Sequence, residues 1–173
     1  ATYGVFASAV STITNSGTIA SGTVSGAAIT LAGFDAIYLA SGGTVTNQAG
    51  GALTGQRIGV LTGGGSALTL DNAGIISGNS FGAVYAQGGA TITNQSGGTI
   101  SGGASGMAIL LTGAGYTLDL RSGSTVTGLI NAGPSTGTNT VMLAGTLNGD
   151  YAGGAAADNV TLTDSAIVTG ILD

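Results

Sequence analysis

Apolar and polar residues alternate along this chain in short bursts of three to five positions, and the same bursts return in the same order. The first burst of each repeat reads Gly4-Val5-Phe6-Ala7, Ala36-Ile37-Tyr38-Leu39, Gly59-Val60-Leu61-Thr62, Ala83-Val84-Tyr85-Ala86 and Ala108-Ile109-Leu110-Leu111. Strict alternation places successive side chains on opposite faces of a strand. The constant β-branched column (Val5, Ile37, Val60, Val84, Ile109) is therefore assigned inward, with the residue two further on beside it. Phe6, Tyr38, Leu61, Tyr85 and Leu110 then fall on the outer face, as a stripe along the stack. A one-residue shift of register would invert that assignment.

A second burst follows a glycine-rich turn: Thr12-Ile13-Thr14-Asn15, Thr44-Val45-Thr46-Asn47, Thr69-Leu70-Asp71-Asn72, Thr91-Ile92-Thr93-Asn94 and Thr117-Leu118-Asp119-Leu120. The aliphatic residue and the Asn share parity and are placed inside, and the Thr pair faces solvent. Stacked Asn15, Asn47, Asn72 and Asn94 can form an amide ladder. Leu120 interrupts it and is read as the end of the regular stack. A third burst (Thr18-Ile19-Ala20, Ala52-Leu53-Thr54, Ile75-Ile76-Ser77, Thr99-Ile100-Ser101, Thr125-Val126-Thr127) closes each unit and is followed by glycine.

The copies begin at Val5, Ile37, Val60, Val84 and Ile109, so the last steps are 23, 24 and 25 residues. The first step, 32, is longer because residues 23–36 carry an excursion. A unit of this length cannot bury its apolar face alone and must stack on its neighbours. Three short strands and three turns per unit predict an all-β fold, a parallel β-helix of about seven rungs. Residues 1–128 carry the five aligned rungs and residues 129–173 looser ones of the same domain, containing Thr140–Leu143, Thr146-Leu147, Asn159–Leu162 and Ala166–Val168. Pro134 falls in a turn, where it removes no ladder hydrogen bond.

Composition sharpens this picture. The 35 glycines among 173 residues lack the three-residue period of collagen, and the apolar residues recur in register, which favours a packed core over disorder. Seven Asp stand against two Arg, with no Lys, Glu or His and a net charge of −5. Such a chain cannot neutralise a phosphate backbone, which excludes nucleic acid as a partner. It equally lacks a polybasic route to anionic membranes. Without cysteine there is no disulfide framework or thiolate metal site, and cysteine avoidance suits passage through an oxidising compartment. No apolar run is long enough for a transmembrane helix. With no basic leader at its start, the chain reads as a mature or excised segment.

The phrases TITNSGTIASG, TVTNQAGGALTG and TITNQSGGTISG, with the tail NTVMLAGTLNGDYAGGAAADNVTLTDSAIVTGILD, resemble the passenger region of bacterial autotransporters over nearly the whole chain. The resemblance implies a right-handed β-helix displayed on, or released from, the outer membrane of a Gram-negative bacterium. It also implies an adhesive or self-associating role. The membrane barrel of that family has no counterpart among these residues.

Catalytic chemistry is poorly provided for. Glycan-active β-helices need clustered carboxylates, and the candidates are Asp35, Asp71, Asp119, Asp150, Asp158 and Asp164, with Arg57 and Arg121. Asp71 and Asp119 share an outward column but lie two rungs apart, about 10 Å. These acids are read as solvated surface charge. A Ser-His-Asp site is impossible without histidine. Gly153–Asp158 resembles one incomplete copy of a calcium-binding nonapeptide, too little for a sandwiched site, so neither metal nor cofactor is expected. The outer Thr pairs are read as β-branched residues filling a solvent face, since Asp71 and Asp119 break the regularity an ice-binding array needs. The sequons at Asn94 and Asn159 are read as chance. The expected function is therefore non-enzymatic: a surface β-helix that self-associates or binds a protein or glycan ligand. Alternatives are a spacer stalk, an end-to-end filament subunit and, last, a glycan-active enzyme.

Overall fold

The computed structural model describes residues 2–22, 34–113, 115–133 and 135–173. These form 21 strands and one 3₁₀ turn, Gly103–Ser105, with no α-helix among them. The strands pass in cyclic order through three parallel sheets of seven strands each, stacked as a β-solenoid. Sheet A holds the first strand of every rung, such as Ile37–Leu39; sheet B the second, such as Ala90–Asn94; sheet C the third, such as Thr99–Ser101. Residues 23–33 of the excursion, and Pro134, lie outside the described residues.

The registers follow the columns legible in the sequence. In sheet A, Val5 pairs with Ile37, Ile37 with Val60, Val60 with Val84 and Val84 with Ile109. In sheet B the Thr-x-Thr-Asn phrases lie residue on residue, Thr44 on Thr69 and Asn47 on Asn72. Ile37, Val60, Val84 and Ile109 are fully buried, as are Val45, Ile92 and Leu118 from sheet B and Leu53, Ile76 and Ile100 from sheet C. Three aliphatic columns thus meet along the axis. Burying each such side chain contributes about 2 kcal/mol, and no unit obtains this without the rungs above and below it.

The stack does not end at Leu120. The Asn column becomes a leucine column instead, with Leu120 paired to Leu143 and Leu143 to Leu162. Both residue types satisfy an inward position, one by hydrogen bonding and the other by packing. The structure also supplies two sheet A strands absent from the sequence reading, Leu129–Asn131 and Tyr151–Ala152. Ile130 occupies the inward β-branched column there and is fully buried, but its neighbours Asn131 and Ala152 no longer carry the bulky outer residue.

The corner after sheet B explains the recurring glycines. Gly50 and Gly97 both have φ of +81°, a backbone that costs an L side chain about 1–2 kcal/mol. Each is the third residue of a turn closed by a backbone bond, Gly51 N–H to Gln48 O and Gly98 N–H to Gln95 O. A Cβ at Gly97 would meet nothing within 4 Å, so the penalty of Gly97→Ala is conformational alone. We expect a loss of about 1 kcal/mol in denaturant unfolding, largely restored by Asn, which tolerates the left-handed region. An alanine variant as stable as the parent would show that this turn rearranges freely.

Candidate functional site

The outer face of sheet A carries the stripe expected from the alternation. Phe6 pairs with Tyr38, Tyr38 with Leu61, Leu61 with Tyr85 and Tyr85 with Leu110. Five rungs at about 4.8 Å make it roughly 20 Å long. It stops at rung six, where Leu110 is followed by Asn131. Two aromatic residues that the repeat alignment missed extend it. Tyr3 lies 5.5 Å from both Phe6 and Tyr38, ring centre to ring centre, and Phe81 stacks on Tyr85 at 5.4 Å. Neither belongs to a repeated column, so periodicity could not find them; proximity in sequence to Phe6 and Tyr85 was the available signal.

Exposure along the stripe is uneven. Phe6 is 54% exposed and Phe81 39%, whereas Leu61 retains only 6%. Leu61 points outward, as its parity requires, but its register neighbours on either side are the larger Tyr38 and Tyr85. The accessible surface is thus two aromatic groups, Tyr3-Phe6-Tyr38 and Phe81-Tyr85, joined across a covered leucine. Mutual ring contact of this kind holds the side chains in place, so a partner meets a surface that is already ordered. Burial, the negative charge of Asp35 and neighbouring Tyr38 together push the Tyr3 phenol upward, with Arg57 partly offsetting them.

Asp35 corrects the reading of the acids as solvated charge. It has no exposed surface, and its two oxygens accept bonds from Arg57 Nε and Nη2, both at 2.9 Å. The backbone closes the same junction: Arg57 N–H donates to Phe34 O and Ala36 N–H to Ile58 O. A bidentate pair of this geometry pins the chain where it re-enters the stack after the excursion, directly beside the stripe.

The remaining acids are also engaged. Asp71 and Asp119 lie on either side of Thr93 in one column. Gln95 Nε2 donates to Asp71 at 2.7 Å, Arg121 Nη1 donates to Gln95 Oε1 at 2.9 Å, and Arg121 Nε donates to Asp119 at 3.1 Å. This linked row spans the gap between the two carboxylates. Asp150 accepts the backbone N–H of Ile171. Asp158 accepts from Tyr151 Oη at 2.7 Å, from Gly154 N–H at 3.0 Å and from the Asn139 amide. It lines a cavity of about 560 Å³ at the last rung, with Tyr151, Leu162 and Leu172. Burial pushes the Tyr116 phenol up to about 12, and burial with the bond to Asp158 drives Tyr151 higher still. Among the described residues, no three His, Cys, Asp or Glu side chains gather as metal ligands would.

The Asn ladder is continuous. Asn15 Nδ2 donates to Asn47 Oδ1, Asn47 Nδ2 to Asn72 Oδ1 and Asn72 Nδ2 to Asn94 Oδ1, each at 2.8 Å. All four residues are buried, and their spare amide hydrogens reach corner carbonyls such as Gly74 O and Gly98 O. This column faces inward and offers nothing to a ligand; its work is architectural.

Comparison of the chain with protein-family models, curated proteins and solved structures returned no match.

Proposed function

We propose that this chain is a non-enzymatic adhesive rod of the autotransporter-passenger kind, displayed at or released from a Gram-negative cell surface, which associates with further copies of itself through the outer face of sheet A. The observation that carries the reading is the pair of aromatic groups on a rigid, otherwise Thr-, Ser- and Gly-rich surface. Contiguous exposed apolar area of this kind marks a partner contact, and rings already held by their neighbours lose little side-chain freedom on binding. Engagement of Asp35, Asp71, Asp119 and Asp158 by neighbouring groups favours a binding rather than a catalytic role.

Such a rod works by multiplicity. Each stripe makes a weak contact, and many stripes on one surface raise the overall strength well above that of one. The purified chain is therefore expected to show concentration-dependent association by sedimentation velocity, and cells displaying it to aggregate. Changing both Tyr38 and Tyr85 to Ser should weaken association by about tenfold, on the scale of losing aromatic contacts at a small interface. Unchanged association in both assays would remove the stripe as the contact surface.

A further inference from the structure

Sheet B presents a different surface. Thr12, Thr44, Thr69, Thr91, Thr117 and Thr140 stand in one unbroken outward column. Their hydroxyls make no hydrogen bond among the described residues. The row just before them is nearly stripped of side chains, because the glycine-rich turns place Ala67, Gly89 and Gly115 there. The result is an open groove of about 440 Å³ along rungs three to six, with Thr69, Thr91, Thr117, Thr138 and Thr140 offering hydroxyls into it. A backbone feature, the small-residue row, and a side-chain feature, the free hydroxyls, thus converge on one trench.

The chemistry of that trench is selective. No charged side chain lines it, and both arginines are committed elsewhere, Arg57 to Asp35 and Arg121 to Asp119 and Gln95. With a net charge of −5, the chain disfavours anionic ligands. What remains is a line of hydroxyls, each both donor and acceptor, repeating every rung at about 4.8 Å. An extended β-1,4-linked hexose chain is also uncharged and rich in hydroxyls, and it advances per sugar by close to that distance. Laid parallel to the solenoid axis, it brings one sugar to each successive threonine.

We propose that the threonine groove of sheet B binds neutral β-1,4-linked polysaccharide, with the glycan running along the axis. Each contact is weak, and matching repeats add them, so affinity grows with the length of the glycan. This surface lies on another sheet from the aromatic stripe, so the two activities are separable.

The experiment is affinity electrophoresis and titration of the intact chain with cellobiose, cellohexaose and polygalacturonate. Cellohexaose is expected to bind at least about tenfold more tightly than cellobiose, as repeated contacts require, and polygalacturonate not to bind. The triple variant Thr69→Val, Thr91→Val, Thr117→Val keeps β-branched strand residues and removes only hydroxyls; with an unchanged circular dichroism spectrum it should lose the binding. The Tyr38→Ser, Tyr85→Ser variant should keep it. No binding of cellohexaose, equal binding by the valine variant, equal binding of polygalacturonate, or loss in the tyrosine variant would each overturn the proposal.

Discussion

Asp35→Ala should cost this protein about 4 kcal/mol of unfolding free energy, because it leaves the Arg57 guanidinium without its carboxylate in a largely dry setting. The Asp35 side chain has no exposed surface and that of Arg57 only 16%. Water therefore compensates little of the loss. Replacing both residues with leucine should be much milder than the single change, since it removes the charge together with its partner. In a solenoid the damage is local before it is global. Hydrogen exchange should rise first in Val5–Ala7, Ile37–Leu39 and Ile58–Thr62, the sheet A strands around the junction. Tyr3, Phe6 and Tyr38 ride on those rungs, so self-association should weaken with them. A single alanine variant within about 1 kcal/mol of the parent, the range of an exposed pair, would show that the pair carries no such weight.

That pair also marks the limit of what the sequence discloses. The columns were readable because each recurs five times, and recurrence separates an inward β-branched position from its outward neighbour. Asp35 and Arg57 occur once each. Nothing in a single pattern says that 22 intervening residues equal one rung and bring them face to face, and a charged residue without a visible partner reads as solvated. Tyr3 and Phe81 escaped for the same reason: they lie beside the repeating columns and not in them. Sheet A strands Leu129–Asn131 and Tyr151–Ala152 were hidden because their outward positions had turned small or polar, although Ile130 kept the inward rule. Leu120 misled in the other direction. It broke a hydrogen-bonding pattern, but the inward position asks only to be filled or satisfied, and leucine fills it. The threonine column was visible as sequence, but its groove needed the small-residue row to be placed beside it in space.

This equivalence of the two inward solutions leads to the ladder itself. Asn72→Ala should destabilise the protein by about 3 kcal/mol, on the scale of leaving several buried polar groups unpaired. The change strands the Asn47 amide, which donates to Asn72 Oδ1, and the Asn94 Oδ1, which accepts from Asn72 Nδ2. It also strips a donor from Gly74 O and Thr99 O, and an acceptor from Gly74 N–H. Asn72→Leu should be nearly as harmful, because it restores volume but no hydrogen bond. Asn94→Leu should cost only about half as much. One neighbour of Asn94 in the column is already Leu120, so this change moves the boundary between amide and leucine by a rung and interrupts the ladder once, not twice. Asn72 then keeps its bonds to Gly74 O and Thr99 O. The corner glycines limit how freely that boundary moves: a Cβ at Gly98 would come within 2.5 Å of Asn94 Oδ1, and the equivalent corner of the next rung, beside Leu120, holds Ser124. Asn94→Leu is thus tolerated with the glycine in place, whereas Gly98→Ser in the parent should disturb the ladder. Denaturant midpoints of the four variants at constant slope give the ranking. If Asn94→Leu proves as costly as Asn72→Leu, the column is held by something other than the continuity of its amides.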